Sequence, residues 1–197
     1  MQPKTNPAQR RTEPQKRMAT PNPNALQGHA DWIRVQLPEM ISSRSFVSGN
    51  PQSQSLQVRY FYDGTERLQT RAWFGPDASG PPGHAHGGSQ AAVLDEMLGS
   101  SSWMTGNAVV AGELTVSFRN MLPLGTVAHG QSWVERIDGR KIFARGTLTS
   151  PDGAITYSEG HGTFIILGPD KFNGIPHREA KALRQRTHER WQQQSTP

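Results

Sequence analysis

Two adjacent glycines, Gly87 and Gly88, stand just before a helix-length segment in the middle of this 197-residue chain. Glycine lets a backbone come close to a ligand because it carries no Cβ. The first turn of a helix also presents unpaired N–H groups and a positive dipole end, which favour an anion or a carbonyl oxygen that gains negative charge. The sequence therefore predicts a binding site at the start of a helix over about residues 87–103.

Segments of alternating apolar and polar residues lie on both sides of this helix. An Asp-Gly turn joins the first two, and Gly, Pro and Asp-Gly turns separate the other four. The predicted strands cover residues 56–62, 68–74, 109–119, 126–137, 141–149 and 154–167. One helix among six such strands predicts an α+β fold in which an antiparallel sheet wraps around the helix.

The composition predicts one domain with a basic tail at each end. Residues 1–28 are rich in Pro, Gln and Arg and are predicted to be disordered, residues 29–169 form the domain, and residues 170–197 form a basic extension. Short helices are expected over residues 30–40 and 177–192. The net charge of +5 is concentrated in the tails, so it is poor evidence for a nucleic-acid-binding core, and no nucleic-acid partner is expected.

The residue types that are missing exclude several kinds of chemistry. There are no cysteines, which excludes disulfides and thiol catalysis, and no cluster of metal ligands is visible. No apolar run approaches the ~20 residues that a membrane-spanning helix needs. We expect a cytoplasmic protein without metal or cofactor. A mitochondrial location is the alternative, because the N-terminus is basic with a single acid.

Asp95 is the residue of the predicted helix whose surroundings most favour a chemical role. At helical spacing its neighbours are small or apolar, namely Ala91, Ala92, Leu98 and Gly99. A carboxylate in such surroundings has a pKa that burial can tune for proton transfer. Glu96 is the natural comparator, because it is predicted to project about 100° away around the helix.

Three stretches of the sequence resemble the hotdog-fold acyl-CoA thioesterases. They are residues 80–88 (GPPGHAHGG) followed by Asp95 and Gly99, residues 139–143 (GRKIF), and residues 157–160 (YSEG). The resemblance is to the PaaI-like group, most nearly its branch of thioesterase superfamily members 4 and 5, and covers about residues 55–167. It implies a hotdog fold and a homodimer, with a dimer of dimers as the larger alternative.

The resemblance also implies roles for individual residues. Asp95 would act on water as a general base or attack the thioester as a nucleophile, and the Gly88 N–H would bind the developing oxyanion. His86 would orient the loop or touch the acyl group; the alternative is a histidine that only caps the helix. Substrate binding would involve Gly87, Gln90, Arg119, Arg140 and Lys141, the three cations being candidates for the phosphates of coenzyme A.

One position departs from the resembling enzymes. They place a threonine, donated by the neighbouring subunit, at the start of the strand after the helix, where it holds the water. An ungapped alignment puts Ala111 there, and an alanine side chain forms no hydrogen bond. Glu113, Ser100 and Ser101 are the candidates to compensate. His129 and His161, isolated in strands, are expected to be structural.

These observations lead to three functional hypotheses. The first is hydrolysis of an acyl thioester, carried by coenzyme A or by an acyl carrier protein, with coenzyme A present only as part of the substrate. The second is a non-hydrolytic, regulatory acyl-CoA-binding protein, which Ala111 motivates. The third is a thioesterase of polyketide-type biosynthesis whose basic tails meet an acidic carrier protein. The acyl group is not specified by the sequence.

Overall fold

The computed structural model describes residues 21, 23–39 and 45–195. Within them, seven strands form one antiparallel sheet in the order β1-β2-β3-β5-β6-β7-β4. The strands are β1 Ile33–Val35, β2 Leu56–Tyr62, β3 Leu68–Phe74, β4 Val109–Phe118, β5 Val127–Asp138, β6 Lys141–Thr149 and β7 Thr156–Ile166. Helix α1, Gly87–Trp103, follows β3, and helix α2, Ile175–Ser195, ends the described chain.

Helix α1 lies against one face of the sheet and forms the centre of the core. Its residues Val93, Leu94, Met97 and Leu98 have no exposed surface. Two glycines in the strands allow this close approach. A Cβ on Gly160 would lie 3.2 Å from Leu98 Cδ1, and one on Gly130 would lie 2.9 Å from Met97 Cε. The predicted fold, an antiparallel sheet wrapped around one helix, is therefore confirmed.

The predicted element boundaries agree closely with the structure. The bounds of α1, β2, β3 and β6 coincide with the predicted ones, and those of β4, β5 and β7 differ by at most two residues at either end. Turn residues explain this agreement, since Gly64, Gly125, Gly139 and Gly153 all have a positive φ that glycine adopts without strain.

The predicted helix over residues 30–40 is wrong. Ile33–Val35 is instead a short edge strand, β1, that pairs antiparallel with β2 and aligns Ile33 with Tyr62 and Val35 with Tyr60. Ile33 and Val35 are both buried and Arg34 between them is exposed, so the segment has the two-residue period of a strand. Residue 40 lies outside the described residues.

Ordered structure begins before the predicted domain boundary at residue 29. Pro23–Leu26 forms a 3₁₀ turn, and Leu26 is only 2% exposed. Gly28 lies so close to the Phe61 ring that an added Cβ would be 2.7 Å from Cδ1. The predicted disordered tail otherwise falls on residues 1–20 and 22, which lie outside the described residues, and there it stays a prediction.

The predicted C-terminal helix is confirmed and extends beyond its expected bounds at both ends. Its apolar side buries Ala180 and Leu183, and Trp191 makes an edge-on contact with Tyr62 at 5.7 Å between ring centroids. Its exposed basic residues are Arg178, Lys181, Arg184, Arg186 and Arg190. None of the helices in the described ranges is long and apolar enough to cross a membrane.

Strand β4 forms one edge of the sheet. It has ten residues, pairs with β7 alone, and carries the exposed apolar side chains of Val110 and Phe118. A register shift between Ala111 and Glu113 marks a bulge at Gly112. Long edge strands with exposed apolar residues readily pair with another chain.

Candidate active site

The start of α1 is organised by His86 and the two glycines that follow it. His86 is the N-cap residue, and its Nδ1 accepts a hydrogen bond of 2.8 Å from the Gly88 N–H. A Cβ on Gly88 would lie 2.9 Å from that nitrogen, and a Cβ on Gly87 would lie 3.1 Å from Phe118 Cζ. The glycine pair therefore lets the histidine cap and the edge strand both approach the first helical turn.

This cap affects the predicted oxyanion donor. The Gly88 N–H, predicted to bind the carbonyl oxygen of a substrate, is occupied by the side chain of His86. The exposed ring of His86 has to rotate away before a ligand can accept the same hydrogen bond. The geometry therefore shows His86 as the cap of the helix, and its predicted roles toward a substrate stay predictions.

A cavity of ≈ 290 Å³ adjoins the first turn of α1 and brings together three predicted substrate-binding residues, Gly87, Gln90 and Arg119. Gln90 is 4% exposed, and its Oε1 has no hydrogen-bond partner among the described residues. Arg119 forms an ion pair with Glu159 at 2.9 Å. Phe118 and Met121 form an apolar part of the cavity wall, so the cavity offers both polar and apolar contacts to a ligand.

Arg140 and Lys141 are not brought to this cavity within one chain. They lie at the turn between β5 and β6, where Arg140 Nη2 donates to the carbonyl oxygen of Ile166 at 3.1 Å. Ile166 pairs with Val109, the first residue of β4, whereas Arg119 follows the last residue of that strand. Ten strand residues span about 30 Å, so the three predicted cations do not form one phosphate site in a single protomer.

Asp95 lies on a second cavity of ≈ 230 Å³ between α1 and the edge of the sheet. The other lining residues are Glu96, Gly99, Ser100, Trp103, Val109, Ala111 and Phe164. The half-buried carboxyl of Asp95 has a raised pKa because burial disfavours its charged form and because Glu96 lies nearby. A carboxylate with an increased proton affinity, open to a cavity, is suited to accept a proton from water.

Glu96 does not point away from this cavity, contrary to what its helical position predicts. It lines the same cavity as Asp95, and its Oε1 accepts a hydrogen bond of 2.8 Å from the Tyr60 hydroxyl. Ser45 donates to Oε2. Residue spacing on a helix does not predict this arrangement, because Tyr60 and Ser45 come from distant parts of the chain.

The residues that were predicted to compensate for Ala111 lie in different places in the structure. Ala111 itself lines the Asp95 cavity of its own chain, together with Ser100. Ser101 instead donates to the carbonyl oxygen of Leu98 inside the helix. Glu113 pairs with Thr163, whereas its neighbour Leu114 pairs with Gly162, on the helix side of β7.

Side chains alternate between the faces of a strand, so Glu113 lies on the face of the sheet away from α1. This placement does not support a catalytic role for Glu113. Sequence analysis identified its position in β4 but not its face, because the bulge at Gly112 changes the alternation.

The strand histidine His129 packs against neighbouring side chains, as expected for a structural residue. Its Nε2 lies 2.8 Å from Gln69 Oε1, and its ring stacks on Trp32 at 5.7 Å between centroids. Burial and the nearby charge of Arg71 lower the pKa of His129 to about 4. Within the part of the chain that the structure describes, no group of three or more His, Cys, Asp or Glu residues could hold a metal ion.

Comparison with known proteins agrees with this fold. The sequence model of the thioesterase superfamily matches residues 82–156, which include α1 with its preceding glycine loop, β4, β5 and β6. Over this segment the chain is similar to the thioesterase superfamily.

Several curated relatives share part of the sequence. The chain is 36% identical over 110 residues to acyl-coenzyme A thioesterase THEM4 of Xenopus laevis, which covers 55% of this chain and 50% of the relative. It is 33% identical over 93 residues to acyl-coenzyme A thioesterase THEM5 of Mus musculus, covering 47% and 38%. The chain therefore spans about half the length, or less, of these relatives.

Solved structures confirm the hotdog architecture. A thioesterase superfamily protein is 26% identical with a TM-score of 0.55, over 60% of this chain and 58% of that chain. Zebrafish thioesterase superfamily member 2 is 18% identical with a TM-score of 0.54, over 64% and 91%. The latter likeness is evidence for the fold alone.

Proposed function

We propose that this protein hydrolyses acyl thioesters of coenzyme A to a free acid and a thiol, with Asp95 as the catalytic carboxylate. The observation that carries the proposal is the half-buried Asp95, whose pKa is raised, on a cavity beside a helix that begins with a glycine pair. The relatives named acyl-coenzyme A thioesterases support the same activity.

The reaction needs a base, an oxyanion donor and a place for the acyl group. Ionised Asp95 takes a proton from water while the water oxygen bonds to the thioester carbon, and the carbonyl oxygen becomes an oxyanion. The Gly88 N–H, released from His86, donates to that oxyanion. When the intermediate collapses, the carbon–sulfur bond breaks and protonated Asp95 returns its proton to the leaving thiolate, which gives acid and thiol and restores the ionised carboxylate.

Asp95 can also attack the carbonyl carbon directly, which forms an acyl–aspartyl anhydride that water then hydrolyses. A single turnover in ¹⁸O-labelled water distinguishes the two routes. The base route places the label only in the product acid. In the direct route, water that attacks the aspartyl carbon of the anhydride leaves label on Asp95, which mass spectrometry of the peptide detects.

We also propose that the working unit is a homodimer joined through β4. Antiparallel pairing of this edge with its copy would bring the start of one β4 beside the end of the other. The cations Arg140 and Lys141 of one subunit would then lie on the same side as Arg119 and the α1 N-terminus of the other. Such an assembly would gather the three cations that a single chain keeps apart, close to where the phosphates of coenzyme A would enter.

The Asp95→Asn variant tests the proposed function, because it keeps the side-chain shape and removes the base. We expect kcat/KM for a panel of acyl-CoA thioesters, followed by release of free thiol, to fall by more than tenfold, which is more than ~1.4 kcal/mol in the barrier. An unchanged melting temperature is the control for folding. A variant that keeps more than about a tenth of the wild-type kcat/KM would show that Asp95 is not the catalytic base.

A second candidate function is binding of acyl-CoA without hydrolysis. Ala111 favours it, because this residue lies on the Asp95 cavity and offers no hydroxyl to hold water. The two functions give different results with the wild-type protein. Calorimetric binding of an acyl-CoA with no release of thiol would support the binding function and contradict hydrolysis.

The carrier of the acyl group can be tested in the same assay. The exposed basic residues of α2 favour an acidic carrier protein as an alternative to free coenzyme A. The same acyl group is presented on coenzyme A and on an acyl carrier protein at low and high salt. A much higher kcat/KM for the carrier protein, lost at high salt, would assign that substrate.

A further inference from the structure

A second carboxylate faces the cavity that holds Asp95, and two hydroxyl groups hold it in place. Glu96 Oε1 accepts a hydrogen bond of 2.8 Å from Tyr60, and Ser45 donates to Oε2. Both donors belong to other parts of the chain, since Tyr60 lies in β2 and Ser45 in the loop before it. Glu96 is thus held by contacts that the helix itself does not supply.

The two hydroxyl groups are themselves fixed. Tyr60 is 3% exposed, and Ser100 hydrogen-bonds to the same hydroxyl. The Ser45 hydroxyl oxygen accepts the backbone N–H groups of Val47 and Ser48 at 3.1 and 3.2 Å. These contacts hold the Glu96 carboxylate at the cavity that Asp95 also lines.

We propose that Glu96 is a positioning residue that makes Asp95 a stronger base for the hydrolysis of the thioester. The inference rests on the proposed function. Two adjacent carboxylates repel each other when both are ionised, so the uptake of a proton by Asp95 relieves the repulsion. A base that binds its proton more tightly accepts it from water more readily.

The pKa of Asp95 agrees with this role. It is raised first by burial and then by the charge of Glu96. Tyr60 contacts Glu96, and burial raises the pKa of Tyr60 well above its usual range, so it stays neutral. The lining residues from β4 and β7, namely Val109, Ala111 and Phe164, carry no charge. Among the described residues, Glu96 is therefore the charge that acts on Asp95.

The Glu96→Gln variant tests the inference by two measurements on the full-length protein. The first is the pH profile of kcat/KM with an acyl-CoA thioester. The second is the titration of the Asp95 carboxyl carbon by ¹³C NMR, assigned with Asp95→Asn. We expect both midpoints to move to lower pH by about 0.5–1 unit, because the like charge has been removed. The kcat/KM at high pH should fall a few-fold, because the remaining base is weaker.

Two further variants separate an effect on Asp95 from a general loss of charge or packing. Glu189→Gln removes the same charge from an exposed position on α2 and should leave both midpoints unchanged. Tyr60→Phe keeps the buried ring and removes the hydroxyl that holds Glu96. It should shift both midpoints in the same direction by less, and it should add nothing to the shift in Glu96→Gln.

An Asp95 midpoint that does not move in Glu96→Gln overturns the inference, even where activity falls, because Glu96 would then act only on structure. The NMR titration needs no catalysis, so it separates this failure from a failure of the proposed function. Absence of thiol release by the wild-type protein would refute hydrolysis. The titration would still decide whether Glu96 sets the proton affinity of Asp95.

Discussion

Asp95 and Ala111 lie on the same cavity, but only Asp95 can form a hydrogen bond with water through its side chain. Burial and Glu96 increase the proton affinity of Asp95, as a base requires. Ala111 leaves the water to be held by other groups, and Ser100 is a hydroxyl residue of the same cavity. At the scale of single residues, the cavity therefore holds a carboxyl of raised pKa, and Ala111 provides no side-chain group to orient water.

Restoring a hydroxyl by Ala111→Thr should increase hydrolysis of a good acyl-CoA substrate. We expect kcat to rise several-fold, up to about tenfold, with little change in KM, since the new group would act in the transition state. Ala111 is exposed and borders a cavity, so the change in stability should stay within ~1.5 kcal/mol. Steady-state kinetics and thermal melts measure both quantities.

Ala111→Val is the matched control, because valine has the shape of threonine without its hydroxyl. An equal gain in kcat for both variants would attribute the effect to packing and contradict the role of the hydroxyl. A fall in kcat for threonine, with a smaller fall for valine, would show that the site positions water in another way.

At the scale of elements, the segment before β2 is part of the folded domain. Leu26 is buried, and the β1 residues Ile33 and Val35 belong to the core cluster that also contains Ala180 and Leu183 of α2. Arg190 of α2 donates to the carbonyl oxygen of Arg34 at 3.2 Å. The N-terminal strand and the C-terminal helix therefore support each other, although they are far apart in the sequence.

Two deletions distinguish the tail, residues 1–20, from the N-terminal segment that packs against the domain. Removing residues 1–20 should leave the melting temperature nearly unchanged, because that sequence has no apolar periodicity. Removing residues 1–28 also takes away Leu26, whose burial is worth about 2–4 kcal/mol, and should lower the melting temperature by about 5–10 °C.

Leu26→Ala in the full chain is the companion variant, with an expected loss of about 2–4 kcal/mol in the free energy of unfolding. Differential scanning calorimetry measures all three proteins. Equal melting temperatures for the two deletions would contradict the packing of Leu26 and Gly28 against the domain.

At the scale of the whole molecule, the proposed assembly through β4 has a direct test. Thr115 lies near the middle of β4, so a two-fold axis would bring its copies close together. The Thr115→Lys variant should weaken the dimer at least tenfold, because it places like charges across the edge. Analytical ultracentrifugation over a concentration series measures the dissociation constant.

Gln193→Lys adds the same charge at an exposed position on α2 and should leave the dissociation constant unchanged. If the active site spans two subunits, the specific activity of Thr115→Lys should fall on dilution in step with its dissociation. A wild-type protein that sediments as a monomer at all concentrations would contradict the assembly.

The sequence by itself determined the strand and helix boundaries around the central helix. Alternating residues and turn glycines act locally, so the bounds of β2, β3, β6 and α1 could be predicted without any tertiary contact. It also singled out Asp95, an acidic residue among small and apolar neighbours, which lines a cavity in the structure; its catalytic role stays a prediction. Gly87, Gln90 and Arg119, which were among the predicted substrate-binding residues, line one cavity.

The tertiary structure decided what depends on distant residues. The segment 33–35 became a strand because β2 offered it an edge, which overrode its apparent helical pattern. Glu96 turned to the Asp95 cavity because Tyr60 and Ser45 hold it there, and Glu113 faces away because the bulge at Gly112 sets its side. The orientation of these side chains depends on residues that the folded sheet brings together. It cannot be predicted from the neighbouring residues in the sequence.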